Sequence, residues 1–238
     1  MRNAFGRGLV VPYNGRMNDE DYMRLAIAEA RRAESLGEVP IGAVVVYEPI
    51  DRGTRRPLAE PRVISRACNL RETTKNPAGH AEFLAMQEAA RVLDAWRLSD
   101  CTVYVTLEPC AHHGKQPPCA DALVEAGVAR VVVGSRDPNP RVAGKGNARL
   151  REAGIEVASD VLRDECDAIN QVFFRYIMSR KPYVVAKWAM TADGRIACAS
   201  GDARWVTGPV AREDGHALRN RLAAIMVGAG TVAADDPC

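Results

Sequence analysis

The stretch TLEPCAHHGKQPPC, residues 106–119, places Cys110 and Cys119 with eight residues between them around an adjacent pair of histidines. Thiolates and imidazoles are the ligands zinc prefers. A redox pair favours two-residue spacing and gains little from eight. A self-contained Cys-His-His-Cys knot needs a contorted loop, because His112 and His113 point to opposite sides of an extended segment. The third reading is a site completed from elsewhere, and GHAEF upstream offers His80 followed two residues later by Glu82. On a regular helix those two side chains diverge by about 200°, so they share a site only on an opening turn where the backbone is not yet regular. Pro77 and Gly79 favour such a turn. One imidazole (His80) and two thiolates (Cys110, Cys119) leave the fourth tetrahedral position of Zn2+ to water, the arrangement of a catalytic zinc. Zinc lowers the pKa of that water toward about 7. Glu82, close but not a ligand, would take the water's proton and pass it to a leaving amine.

H-x-E followed by a P-C cysteine pair is the general pattern of zinc deaminases. Alone, HAE is an ordinary helix start and EPC an ordinary strand end; together, separated by a helix and a strand, they predict a zinc-dependent deaminase.

The elements that position these residues alternate along the chain. Asn18 caps a predicted helix to about Ser35, with Gly37 closing it. IGAVVVY then reads as a buried strand, residues 48–62 as a long exposed excursion rich in Pro, Arg and Gly, and VISRAC as a second strand. HAEFLAMQEAARVLDAW is helical, CTVYVT a strand, ADALVEAG a helix, ARVVVG a strand, NARLREAG a helix and IEVAS a short strand. This pattern predicts an α/β fold, a central sheet flanked by helices. One longer helix is expected over about Val161 to Ser179, and Pro182 ends it. Beyond Pro182, YVVAKWAM, VAREDGHALRNRLA and AIMVGAG read as strand, helix, strand. The expected organisation is therefore a disordered extension over 1–16, a deaminase domain over 17–180 and a second, incomplete domain over 181–238.

A chain of 238 residues, 47% hydrophobic and 26% charged, has the composition of a folded soluble protein. Its net charge of +2 neither demands nor excludes a nucleic-acid partner. No apolar run approaches the roughly 20 residues that span a bilayer, and no signal peptide is evident. Seven cysteines without framework spacing fit a reducing compartment, so a cytoplasmic location and no membrane partner are expected.

Two family resemblances follow. From about Met17 to Cys110, GEVPIGAVVV, CNLRETTKNPAGHAE and WRLSDCTVYVTLEPC resemble the bacterial tRNA adenosine deaminases. From TLEPC onward, EPCAHHGKQPPCADAL, DPNPRVAGKG, LREAGIEV, KPYVVAKWAMTADGRIA and GTVAADDP resemble the bifunctional riboflavin-biosynthesis proteins, in which a pyrimidine deaminase is fused to an NADPH-dependent reductase. Both belong to the cytidine deaminase superfamily. The resemblance implies a cytidine-deaminase-like domain followed by the start of a dihydrofolate-reductase-like domain. It makes His80, Cys110 and Cys119 zinc ligands and Glu82 the proton carrier. The eight-residue interval matches the riboflavin family. That family carries Asn-Pro where this chain has Val39-Pro40, whereas the tRNA family's base-binding asparagine is matched by Asn69.

The riboflavin resemblance further implies that His112 and Lys115 face a phosphorylated pyrimidine and Arg219 the reductase substrate. Ala189, Trp205, Thr231 and Asp235 would approach NADP, provided the reductase domain were complete. The expected substrate is a phosphoribosylated diaminopyrimidine. A tRNA adenosine deaminase is the alternative, a non-catalytic zinc-stabilised module the third reading, and a homo-oligomer the expected state.

Overall fold

The computed structural model describes residues 17–54, 56–112, 116–140 and 142–235. The expectation for residues 1–16 lies outside them. The chain divides into two compact units between Tyr183 and Val184.

The first unit runs α1 (Asp19–Ser35), β1 (Gly42–Tyr47), β2 (Arg62–Cys68), α2 (Arg71–Thr74), α3 (Ala81–Leu93), β3 (Cys101–Leu107), α4 (Cys119–Ala126), β4 (Arg130–Ser135), α5 (Lys145–Glu152), β5 (Glu156–Ala158), α6 (Arg163–Ile169) and α7 (Gln171–Ser179). Asn18 opens α1 through a capping box: its Oδ1 accepts from the Asp21 amide at 2.9 Å, and the Asp21 carboxylate accepts from the Asn18 amide at 3.1 Å.

The five strands form one sheet in the order β2-β1-β3-β4-β5, with β1 antiparallel to β2 and β3, and β3, β4 and β5 parallel. Register explains the two cores. Val103 lies between Val45 and Val131, while its neighbour Tyr104 lies between Val44 and Val132. Alternate residues of a strand face opposite sides. The first set therefore packs with Ala81, Ala85 and Met86 of α3, Leu123 of α4 and Leu150 of α5. The second packs with Tyr22, Met23, Ala26 and Ile27 of α1 and with Cys166 of α6. A fully buried side chain such as Met23 contributes enough that truncation to Ala costs about 2–5 kcal/mol. On this second face Asp19 accepts both Arg130 guanidinium nitrogens at 2.7 Å and the Tyr104 hydroxyl at 3.0 Å, tying α1 to the sheet.

Several expected elements differ. α3 stops at Leu93 rather than Trp96 because Asp94 turns left-handed (φ 50°), leaving Trp96 exposed. The single helix over 161–179 breaks at Asn170, whose side-chain amide donates to the Pro40 carbonyl at 3.1 Å and the Cys166 carbonyl at 3.2 Å. The excursion over 48–62 carries one short bridge, Ile50 to Pro57.

In the second unit, VAREDGHALRNRLA forms α8 (Pro209–Asn220), and a further helix, α9 (Ala229–Asp235), begins within the last two residues of AIMVGAG, where a strand was expected. YVVAKWAM and AIMVGAG are not strands, since neither pairs with another segment among the described residues. Among those residues of this unit only Gly215 is buried.

Candidate active site

β3, α4 and β4 make one parallel crossover unit, and such sheets gather sites beyond the carboxyl ends of their strands. Cys110 follows the end of β3 by three residues, and Cys119 is the first residue of α4. The two cysteines therefore flank the connection from β3 to α4. The Cys119 amide donates to the Cys110 sulfur at 3.3 Å, and the Ala120 amide to the Cys110 carbonyl at 3.1 Å.

His80 arrives from the other side of the sequence. It is the N-cap of α3, extended at φ −79° and ψ 141°, so the helix begins only after it. Its amide donates to the Ala78 carbonyl at 2.8 Å, within a turn closed by Gly79 donating to the Asn76 carbonyl at 3.0 Å. A Cβ on Gly79 would stand 2.9 Å from the Leu70 carbonyl carbon, so the tight approach of this turn to the end of β2 requires glycine. With His80 outside the helix and Glu82 in its first turn, the two side chains reach the same space.

The His80 ring nitrogen and the Cys110 and Cys119 sulfurs all lie within 4.8 Å of one another. The Cys119 sulfur is 3.2 Å from His80 Nδ1. Two ligand atoms on a tetrahedral zinc stand about 3.5 Å apart given the usual bond lengths, so a relaxation of a few tenths of an ångström separates this pair from a ligand edge. Neither cysteine is in a disulfide.

The charges fit a cation as well as the distances do. The thiol of Cys119 donates to Cys110, and this bond with the neighbouring His80 pushes Cys110 down to about 4. The same bond, with burial and the charge of Glu82, drives Cys119 up. Burial lowers the His80 imidazole, but the Cys110 sulfur and Glu82 outweigh it and its pKa lies above the ordinary value. Glu82 is 4% exposed, and burial raises its carboxyl above the usual range. Two sulfurs and a carboxyl crowded around one imidazole, with one proton shared between the sulfurs, is a donor set short of positive charge. A divalent cation supplies it.

The rim was only partly foreseen. Asn69 is buried, and its Oδ1 has no hydrogen-bond partner among the described residues. His112 is exposed on the loop after Cys110, close enough to Asp137 for its charge to act there. Lys115 lies outside the described residues.

Composition and spacing did not single out Glu108. It is 3% exposed, and its carboxylate accepts the amides of Gly144 at 3.0 Å, Asn147 at 3.2 Å and Asp137 at 3.4 Å. A Cβ on Gly146 would overlap the Pro109 carbonyl oxygen, so the opening of α5 sits directly on the Glu-Pro-Cys turn. A carboxylate directly after a mostly apolar strand was the available signal. Gln116, whose Nε2 is 3.8 Å from the Cys119 sulfur, gave none.

In the second unit Trp205 is 70% exposed beneath the Arg212 guanidinium, Arg219 is exposed with an Nη 3.4 Å from His216 Nδ1, and Ala189 is half-buried. Thr231 is exposed in α9, where Asp235 is the last residue.

The model of the cytidine and deoxycytidylate deaminase zinc-binding region matches residues 16–135, which contain every residue of this donor set. The chain belongs to that family. Residues 182–238 match the RibD C-terminal domain. The riboflavin biosynthesis protein RibD of Actinobacillus pleuropneumoniae is 44% identical over 221 residues, covering 93% of this chain and 54% of that protein. RibD of Escherichia coli strain K12 is 39% identical over 225 residues, with 93% and 55% covered. The chain thus spans about half the length of these relatives.

Among solved structures, a diaminohydroxyphosphoribosylaminopyrimidine deaminase/5-amino-6-(5-phosphoribosylamino)uracil reductase from Thermotoga maritima superimposes with a TM-score of 0.72 at 38% identity, covering 92% of this chain and 58% of that one. A structure from work on tRNA:A34 deaminases gives a TM-score of 0.50 at 31% identity, covering 62% of this chain and 97% of that one. The chain is RibD-like across both units, and the tRNA deaminase likeness is confined to part of it.

Proposed function

We propose that the chain is a hydrolytic deaminase of a phosphoribosylated diaminopyrimidine, with a deaminase domain over 17–180 and an incomplete reductase domain over 181–238. The observation that carries it is the convergence of His80, Cys110 and Cys119 beside a buried Glu82. Zinc held by those three residues would supply the Lewis acid that makes a water nucleophilic near neutral pH. With Nδ1 turned to the sulfurs, neutral His80 keeps its proton on Nε2.

Glu82 moves the proton. Buried, with a raised pKa, it accepts from the attacking water and returns the proton to the departing exocyclic amine. The C–O bond forms, the C–N bond breaks, and ammonia leaves. Asn69 offers its Oδ1, which has no partner among the described residues, to a donor on the base edge. His112 and Lys115 are assigned to the phosphate. Arg219 and the NADP positions Ala189, Trp205, Thr231 and Asp235 would act only within a complete reductase domain.

The pyrimidine nucleotide is preferred over tRNA because the riboflavin-protein likeness runs through both units. The tRNA reading rests on Val39, Asn69 and the partial structural likeness. Ammonia release is to be measured from the phosphoribosyl diaminopyrimidine and, in parallel, inosine formation in an anticodon stem-loop. The first substrate should turn over and the second should not; the reverse pattern would assign the pocket to adenosine. A cytoplasmic location fits this chemistry, and no helix among the described residues is long and apolar enough to cross a membrane.

A further inference from the structure

We propose that Gln116 is a positioning residue for the metal site, its side-chain amide donating to the Cys119 sulfur and holding that thiolate toward the bound cation. The inference rests on the zinc reading above and adds to it a residue from the eight-residue interval.

Among the described residues each sulfur receives an amide N–H, but from different sources. Cys110 is served by the Cys119 backbone amide at 3.3 Å, a bond that the opening of α4 makes whatever the surrounding side chains are. Cys119 is served by Gln116 Nε2 at 3.8 Å, a long contact suited to the large sulfur atom. This second bond exists only because residue 116 is a glutamine. Pro117 and Pro118 separate the two residues, and their fixed φ angles hold the Gln116 backbone at a set offset from Cys119. Gln116 is half-buried, which limits the competition of bulk water for its amide.

The Cys119 sulfur also lies against the Glu82 carboxylate, so its negative charge has an unfavourable neighbour. A neutral amide offsets part of that charge without adding a cation that would compete with the metal. Groups that donate to metal ligands in this way orient them, and losing one typically weakens metal binding by about 10–100-fold.

The test compares the parent chain with Gln116→Leu, which keeps the volume and removes the N–H, and Gln116→Glu, which sets a carboxylate against the sulfur. Zinc affinity is measured by competition with a chromophoric chelator, and cobalt substitution reports on the sulfurs through their charge-transfer band. For Gln116→Leu the expected results are zinc binding weaker by about 10-fold and a cobalt band moved to lower energy, because the sulfur becomes richer in electrons. Gln116→Glu should be weaker still. The metal-free variants should melt with the parent, which a purely structural role for Gln116 would not allow. Parent-like affinity and an unmoved band in Gln116→Leu would overturn the proposal and leave the zinc site standing. A parent chain that binds neither metal would remove both.

Discussion

Glu82→Gln separates chemistry from folding, because the substitution should move activity and stability in opposite directions. The glutamine has the carboxylate's shape, and the position is 4% exposed against Cys119, so packing is retained. It cannot carry the proton from water to amine. A positioned acid-base group contributes about 100- to 10,000-fold, which at 1.36 kcal/mol per tenfold is about 3–5 kcal/mol of the barrier.

Stability follows the carboxyl's raised pKa. A carboxyl whose pKa is higher in the folded state than in the unfolded state binds more protons when folded. Its favourable contribution is therefore complete below the unfolded pKa, near 4.3, and is lost as the pH rises through the folded value. In the metal-free protein the variant should thus melt at or above the parent at pH 8, with the gap closing as the solution is acidified. The assays are ammonia release under saturating substrate, zinc content, and thermal unfolding of the metal-free forms at pH 5 and 8. Zinc retained with activity down at least about 100-fold is expected. Loss of zinc would make Glu82 a ligand, and near-parent turnover would refute its role as proton carrier.

Two further outcomes follow from neighbouring groups. Asn69→Ala removes an acceptor whose Oδ1 has no partner among the described residues, so KM should rise about 10-fold, the worth of one hydrogen bond, with the melting temperature nearly unchanged; a large loss of stability with unaltered KM would make Asn69 structural. The Arg130 hydrogen bonds, opposed by burial and aided by Tyr104, hold the Asp19 carboxyl below its usual range. Its stabilisation is therefore present above the unfolded pKa and lost as the pH falls through the folded one. Asp19→Asn should lower the melting temperature at pH 7, with the difference shrinking below about pH 4; a gap independent of pH would contradict that sign.

Much of the site was legible because its chemistry is local. Pro77 and Gly79 ahead of His80 announced a turn, and the structure places His80 as an extended N-cap with Glu82 one step into the helix. The sheet was legible from its apolar runs, since each of β1, β3 and β4 is buried on both faces. What escaped depends on distant partners. The break at Asn170 is set by a bond to Pro40, 130 residues away, and no periodicity within Val161–Ser179 encodes it. Glu108 is explained only by three amides that arrive from the far side of β4. The runs YVVAKWAM and AIMVGAG have strand composition, but a strand also needs a neighbour for its backbone groups, and composition does not say whether one is present.

The proposed chemistry requires that His80, Cys110 and Cys119 hold a metal. The direct measurement is the zinc content of the purified chain and of the His80→Ala, Cys110→Ala and Cys119→Ala variants, with ammonia release from the phosphoribosyl diaminopyrimidine assayed on the same preparations. Stoichiometric zinc and turnover in the parent, both lost with each substitution, is the predicted result. A folded parent chain that turns over without stoichiometric zinc, or a variant that keeps both, would contradict it.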